Sequence, residues 1–386
     1  MAEQRSIIDS SARPSLLIMM LRENWFYILV VVLLIAFPFI VGALTESSPY
    51  GVPRGDRMIM RGESVRWQSV LIEVYILAIL TMSYNLIFGF TGVISFGHAM
   101  FFGLGGYILG LSVEYVAIDN GLGVGVGLLV GLVAGVLICG LLGLLVGFVS
   151  LRLRGVYFTI FTLAIAEMFY IYFSRWRVTN AEDGFALTDL PTWLDPTQNR
   201  LNFYYIALIL FVFTFLFIRR IVNSPTGAVF KAIRENEDRA QSIGYNTLRY
   251  KLISITIAGM LAAVAGMLQI LLNKKVGPEI LGVAYTVDPL LMTIIGGIGT
   301  FNGPVIGSAG LHLLDVFLRD STIIVFGSVV EISTIWNLLL GIIFIVVVII
   351  FPHGIVGTWA RWRARRQTAS KALRAGRAPD TRLSQS

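Results

Sequence analysis

The chain has 386 residues, of which 56% are hydrophobic and 14% charged, and its formal net charge is +7. Soluble domains hold about 45–50% apolar and about 25% charged residues, so this composition excludes an ordinary water-soluble globule. The single cysteine, Cys139, excludes an internal disulfide, and the cations flank apolar runs, which points to membrane orientation and away from nucleic acid.

Residues 1–23 are polar and carry Arg5, Arg13 and Arg22; Trp25-Phe26-Tyr27 then reads as an interfacial aromatic anchor. The following run, about Phe26–Leu44, is longer than a signal-peptide core and reads as a span. A turn-rich loop over 45–66 leads to a second span, about Trp67–Phe90, which contains Glu73. The third begins near Gly92, the fourth covers about Gly121–Val149, with Cys139 as a small packing residue, and the fifth covers about Gly155–Phe173. The loop 174–202 is richer in acids (Glu182, Asp183, Asp189, Asp195) than in bases, and a sixth span, about Phe203–Ile218, ends on Arg219-Arg220. Further spans are read near Leu252–Leu272, Tyr285–Ile298, Val305–Phe317 and Ile332–Phe351. The tail 358–386 is basic, lacks apolar periodicity and reads as disordered, with some affinity for anionic lipid.

The expected architecture is therefore all-α and polytopic, with about ten transmembrane helices, some broken by glycine. The permease domain covers 24–357. With a cytoplasmic N-terminus, the positive-inside rule places Arg152, Arg154, the Arg219–Lys251 loop and the tail inside, and the acidic 174–202 loop outside.

The segment 223–249 is the one long charged stretch between membrane-length runs. Ser224-Pro225 suits a helix start, Val229, Ile233, Ala240 and Ile243 form one apolar stripe, and Gly244 suits a stop. The spacing predicts a single amphipathic helix between these signals. By itself the pattern fits either an ordinary solvated loop or an element that transmits a push into the bundle.

Two glycine-rich breaks interrupt apolar regions: Asn85-Leu-Ile-Phe-Gly89-Phe-Thr91-Gly92-Val-Ile-Ser95-Phe-Gly97-His98 and Thr293-Ile-Ile-Gly-Gly-Ile-Gly-Thr-Phe-Asn302-Gly-Pro-Val-Ile-Gly307. A break frees backbone polar groups that lipid cannot satisfy, so each belongs inside protein or beside a water-filled path; close helix packing is the plainer explanation. Paired breaks also suggest an internal repeat, as many transporters have. Asn85, Thr91, Ser95, His98, Thr159, Thr162, Glu167 and Asn302 are polar candidates for the path. His98 is more simply a hydrogen-bonded packing residue, and no second His or Cys beside it supports a metal site. Glu73, Glu167 and Asp288 fall in predicted spans, where a carboxylate should face the bundle or a polar cavity. They could meet an ammonium group, relay protons, cap a helix or pair with a base. No G-x-x-x-x-G-K-[ST] loop, G-x-S-x-G elbow or H-E-x-x-H pair occurs, so intrinsic enzyme activity is not expected.

Asp238-Arg-Ala-Gln-Ser-Ile-Gly244 resembles the "E-A-A, three residues, G" cytoplasmic loop of ABC importer permeases, with Arg239 where the family usually has alanine. Ala232-Ile-Arg-Glu-Asn-Glu237, both glycine breaks, Arg152-Leu-Arg-Gly-Val-Tyr-Phe-Thr-Ile-Phe-Thr-Leu163 and Phe351-Pro-His-Gly-Ile-Val-Gly357 resemble the M-type branched-chain amino acid permeases, the LivM family. Asn180-Ala-Glu-Asp-Gly184 departs by lacking a first glycine. The resemblance covers roughly residues 70–357. It implies a bacterial inner-membrane importer subunit that binds no cofactor itself, ATP and Mg being used by two ATPase subunits. It also implies a second permease, an extracytoplasmic binding protein and a small amino acid as substrate. Arg234, Glu235, Asn236, Asp238, Ala240 and Gly244 would then meet the ATPase. The alternatives are an importer of urea or short amides, an ion-coupled secondary transporter using the intramembrane carboxylates, and a structural subunit that transports nothing.

Overall fold

The computed structural model describes residues 16–54, 57–118, 121, 123–153, 155–188, 190–319, 322–325, 328–352, 354–359 and 361–363. The lead up to residue 15, Arg154, Asp189, His353 and the tail from 364 onward lie outside these. The chain divides into two compact units, Met1–Gln68 and Ser69–Ser386.

In the first unit, α1 (Leu16–Leu44) begins well before the apolar run and contains Pro38. A short antiparallel hairpin pairs Val52–Arg54 with Arg57–Ile59. The first turn of α2 (Glu63–Thr91) closes the unit, where Ser64 donates its hydroxyl to the Pro38 carbonyl at 2.8 Å and Gln68 donates to Pro49 O at 2.9 Å.

The second unit holds the rest of α2, then α3 (His98–Leu111), which runs into a wider π-helical turn over Ser112–Ile118. There follow α4 (Val124–Ser150), α5 (Val156–Arg175), α6 (Arg200–Val222), α7 (Pro225–Glu235), α8 (Glu237–Ser242) and α9 (Thr247–Asn273). The chain continues through α10 (Ala284–Gly296), α11 (Gly303–Arg319), a hairpin of Thr322–Val325 with Ser328–Glu331, and α12 (Ile332–Ile350). Phe185–Ala186 pairs antiparallel with Lys275–Val276, joining the two long loops on that side.

Among the described residues, seven stretches are long and apolar enough to cross a membrane: Trp25–Leu44, α2, α4, α5, α6, α9 and Gly341–Trp359, which begins within α12. The shorter apolar helices α3, α10 and α11 account for the difference from the expected ten. The protein is a polytopic all-α membrane protein.

The core is formed by α3, α4 and α9, each packed against the other two. Small residues make this possible, because without a hydrophobic force between helices in lipid, close backbone approach supplies the packing energy. On α4, Gly127, Gly131, Gly135, Cys139, Gly143 and Gly147 recur every fourth residue and are all buried. A Cβ at Gly131 would stand 2.8 Å from Leu109 Cα, and one at Gly143 would stand 3.2 Å from Thr256 Cα. Cys139 sits on this stripe with its thiol toward the Phe101 carbonyl, as a packing residue should. The opposite side of α4, with Leu129, Leu137, Leu141 and Leu145, is exposed. α2 is buried along most of its length and is tied to α6 through Tyr75 and Tyr204, whose hydroxyls are 2.9 Å apart, and to α9 through Ser254 Oγ and Leu86 O.

Candidate coupling surface and substrate path

The charged segment between α6 and α9 folds as two helices, where the sequence pattern predicts one. Ser224 caps α7, its hydroxyl accepting from Gly227 N, and Pro225 occupies the first turn, where its missing N–H is not needed. Asn236 then turns extended (φ −161°, ψ 104°), and its side-chain oxygen accepts from Arg239 N at 2.9 Å. An asparagine that can cap a new helix competes with continuing the old one, and here the cap wins. Glu237 and Asp238 lie in the first turn of α8, where the helix dipole favours acids.

α8 ends in a two-bond C-cap: Tyr245 N donates to Ala240 O at 3.1 Å and Gly244 N to Gln241 O at 2.9 Å. Gly244 takes φ +101°, the left-handed conformation this cap requires. Asn246 caps α9 by accepting from Arg249 N, and Lys251 meets Glu237 at 2.6 Å, fixing α8 against α9.

The split changes which residues face inward. Val229, Ile233 and Ala240 form a buried cluster with Tyr250 against it. Ile243, placed on the same stripe by a continuous-helix reading, is 68% exposed, because the break at Asn236 resets the helical phase. Ala240, expected at the coupling contact, is 3% exposed and packs into this cluster. Glu235, Asn236, Asp238, Arg239 and Gly244 are exposed. Arg234 is exposed as a residue, but its stem lies against Gly92 and its guanidinium donates to the Gly89 carbonyl.

The first break, 92–97, lies between α2 and α3. Four of its backbone groups are met by hydroxyl groups. Thr159 donates to Ile94 O at 3.0 Å, Tyr84 donates to Ser95 O at 3.2 Å, Thr162 accepts from Phe96 N at 3.2 Å, and Ser95 accepts from Gly97 N at 3.2 Å. The polar side chains of α2 and α5, with Ser95 of the break itself, thus satisfy backbone that the irregular segment would otherwise leave bare.

His98 starts α3 and is fully buried, with Nε2 2.8 Å from Ser83 Oγ and its ring edge-on to Tyr84 and Phe101. Thr286 on α10 accepts from Ala99 N at 2.8 Å. Thr91, at the end of α2, is buried and bonds back to Ile87 O.

The second break joins α10 to α11. Asn85 engages it with both ends of its amide: Oδ1 accepts from Gly299 N and Nδ2 donates to Thr300 O, each at 3.0 Å. The Thr300 hydroxyl donates to Gly297 O and accepts from Gly303 N, and Asn302, half-buried, heads α11. Asn85 therefore ties α2, the helix that leads into the first break, to the second break.

Glu167 is not with this group; it lies exposed on α5. Glu73 is paired across helices, with His312 of α11 3.1 Å from its carboxylate. In the 174–202 loop, Asp195 is 1% exposed in its side chain and 2.8 Å from Lys274. Burial pushes its carboxyl up, but hydrogen bonds from Lys274 and from the Thr197 hydroxyl and N–H outweigh that, so it is held below the usual carboxylate range.

Beside the first break, a cavity of about 860 Å³ is lined by Gly92, Ile94, Arg152, Thr159, Glu237 and Lys251, among others, so the charged loop and the break share one wall. Sequence reasoning missed Ser83, Tyr84, Thr286 and Thr300. Ser83 and Tyr84 were legible as polar groups in an apolar helix immediately before Asn85.

A family model described as "Branched-chain amino acid transport system / permease component" matches residues 67–348, a stretch that includes both breaks and the loop. The chain belongs to this permease family. Its relatives include the high-affinity branched-chain amino acid transport system permease protein LivM of Escherichia coli, 26% identical over 82% of this chain and 74% of that protein. A probable branched-chain amino acid transport permease protein LivM of Methanocaldococcus jannaschii is 26% identical over 62% of this chain and 77% of its own length. The BraD permease protein of Pseudomonas aeruginosa is 25% identical over 72% and 91%. No solved structure matches. The family is one of transport permease components and not of catalysts, in line with the absence of nucleotide and hydrolase motifs from this permease.

Proposed function

We propose that this permease is the membrane subunit of an ABC importer for branched-chain amino acids. The observation that carries the reading is the family match across 67–348, which takes in both breaks and the charged loop. In this reading the chain lies in the inner membrane with both termini cytoplasmic, and an extracytoplasmic binding protein delivers the amino acid. A second permease completes the path, and two ATPase subunits use ATP and Mg to drive alternating access. Asp238 and Gly244, with Glu235 and Asn236 beside them, form the ATPase contact; all are exposed on α8 and its flanks. The exposed Glu167 on α5 supports a second permease, because a carboxylate in a membrane span needs a polar neighbour.

The test is uptake of labelled leucine in cells with and without this gene, the partner genes being present. Isoleucine, valine and urea are added unlabelled as competitors. Gene-dependent uptake blocked by isoleucine and valine, but not by urea, is expected. Its absence from cells expressing the whole system would move the substrate to urea or a short amide.

A further inference from the structure

Arg234 lies at the end of α7 and is exposed as a residue, yet its guanidinium is engaged by the backbone of α2. Nη1 donates to the carbonyl of Gly89, near the end of α2. The same group occupies the space over Gly299, where a Cβ would overlap it. Its stem runs along Gly92, with Cγ 3.3 Å and Cα 3.5 Å from the place a Cβ would take. Gly92 and Gly299 have φ of +75° and +70°, so glycine at both positions also answers a backbone need. Gly89 and Gly299 lie against each other, since a Cβ at Gly89 would stand 2.7 Å from Gly299 N. One side chain of the charged loop therefore seats at the point where the two broken segments meet. Among the described residues, Arg234 forms no ion pair with the acids of its own loop.

We propose that Arg234 is a positioning residue, a latch that ties movement of the α7–α8 loop to the junction of the two breaks and holds that junction shut toward the loop's side of the membrane. This rests on the reading of the loop as the element that receives a push. The backbone carbonyl is a suitable seat, because a charge-assisted bond to it is strong when made and is lost over a displacement of about an ångström. Withdrawal of α7 would remove the bond to Gly89 and the body filling the space over Gly299 together. Asn85 would still tie α2 to the second break.

The test uses the full chain in membrane vesicles of both orientations, with Cys139→Ala removing the native thiol. Ser95→Cys places a near-isosteric reporter in the first break, where Ser95 is 5% exposed. Ser242→Cys, at an exposed position on α8, marks which vesicles present the loop. A membrane-impermeant maleimide is the probe. Arg234→Met keeps the stem and removes the donor. It is expected to raise reporter labelling about tenfold from the loop side only, the shift expected when one charge-assisted bond stops biasing a two-state equilibrium. Arg234→Lys, which keeps a cationic donor on a stem about one bond shorter, should slow labelling relative to Arg234→Met.

Unchanged labelling in Arg234→Met, or an equal rise from both faces, would overturn the latch. So would loss of co-purifying ATPase subunits from Arg234→Met, which would make Arg234 a partner contact. The labelling needs neither substrate nor ATP. A chain that fails the leucine test but shows the one-sided change keeps the latch, and a working importer without that change loses it.

Discussion

Asn85→Leu tests whether α2 and the second break are joined as described. The substitution keeps approximate size and removes both amide bonds, leaving Gly299 N–H and Thr300 C=O without their partners. Each unpaired buried group costs about 1–3 kcal/mol. Asn85 is 2% exposed, but Gly299 and Thr300 are only half-buried, so some solvation of the freed groups lowers the total. A loss of about 2–4 kcal/mol follows, roughly a 30- to 1000-fold shift toward forms in which the junction is open. Asn85→Asp should do less at Gly299, where an acceptor remains, and more at Thr300 O, where two acceptors would face each other. The assay is thermal unfolding of the purified full chain in detergent, paired with limited proteolysis of the 297–302 segment. Asn85→Leu should melt several degrees lower and be cut faster there. Wild-type melting with unchanged cleavage would refute the joint between α2 and the second break.

Gly244→Trp should insert normally, because no atom lies within 4 Å of the position a Cβ would take, although φ +101° strains any side chain there. Uptake should nonetheless fail, since bulk would stand between α8 and its ATPase; normal uptake by well-inserted variant would count against that contact. Asp195→Asn should destabilise the chain by weakening the links to Lys274 and Thr197. The folded-state value of Asp195 is lowered, so its contribution is complete above the unfolded value of about 3.9 and is lost as pH falls through the folded one. The melting difference between wild type and Asp195→Asn should therefore be flat from about pH 5 to 8 and shrink below about pH 4. A difference that grew toward pH 8 would contradict the assignment.

The spans were legible in the sequence because hydrophobic length is a local property, and α4, α5, α6 and α9 lie close to where apolar runs place them. The two breaks and the start and stop of the charged loop were legible too, since Ser224-Pro225, Gly244 and the glycine clusters act through their own backbone preferences. The split at Asn236 was readable in principle, but asparagine either caps or continues a helix, and the choice depends on whether Ala240 can reach Val229 and Ile233. Only the tertiary structure decided what the polar residues do. Asn85 and Thr300 are 215 positions apart, and Phe96 and Thr162 are 66 apart. No periodicity announces such pairs, because they follow from which helices become neighbours. The same holds for Arg234, which in the sequence belongs to a charged loop and in the fold belongs to the junction beneath it: a long, flexible side chain is directed by whatever acceptor the packing brings within its reach.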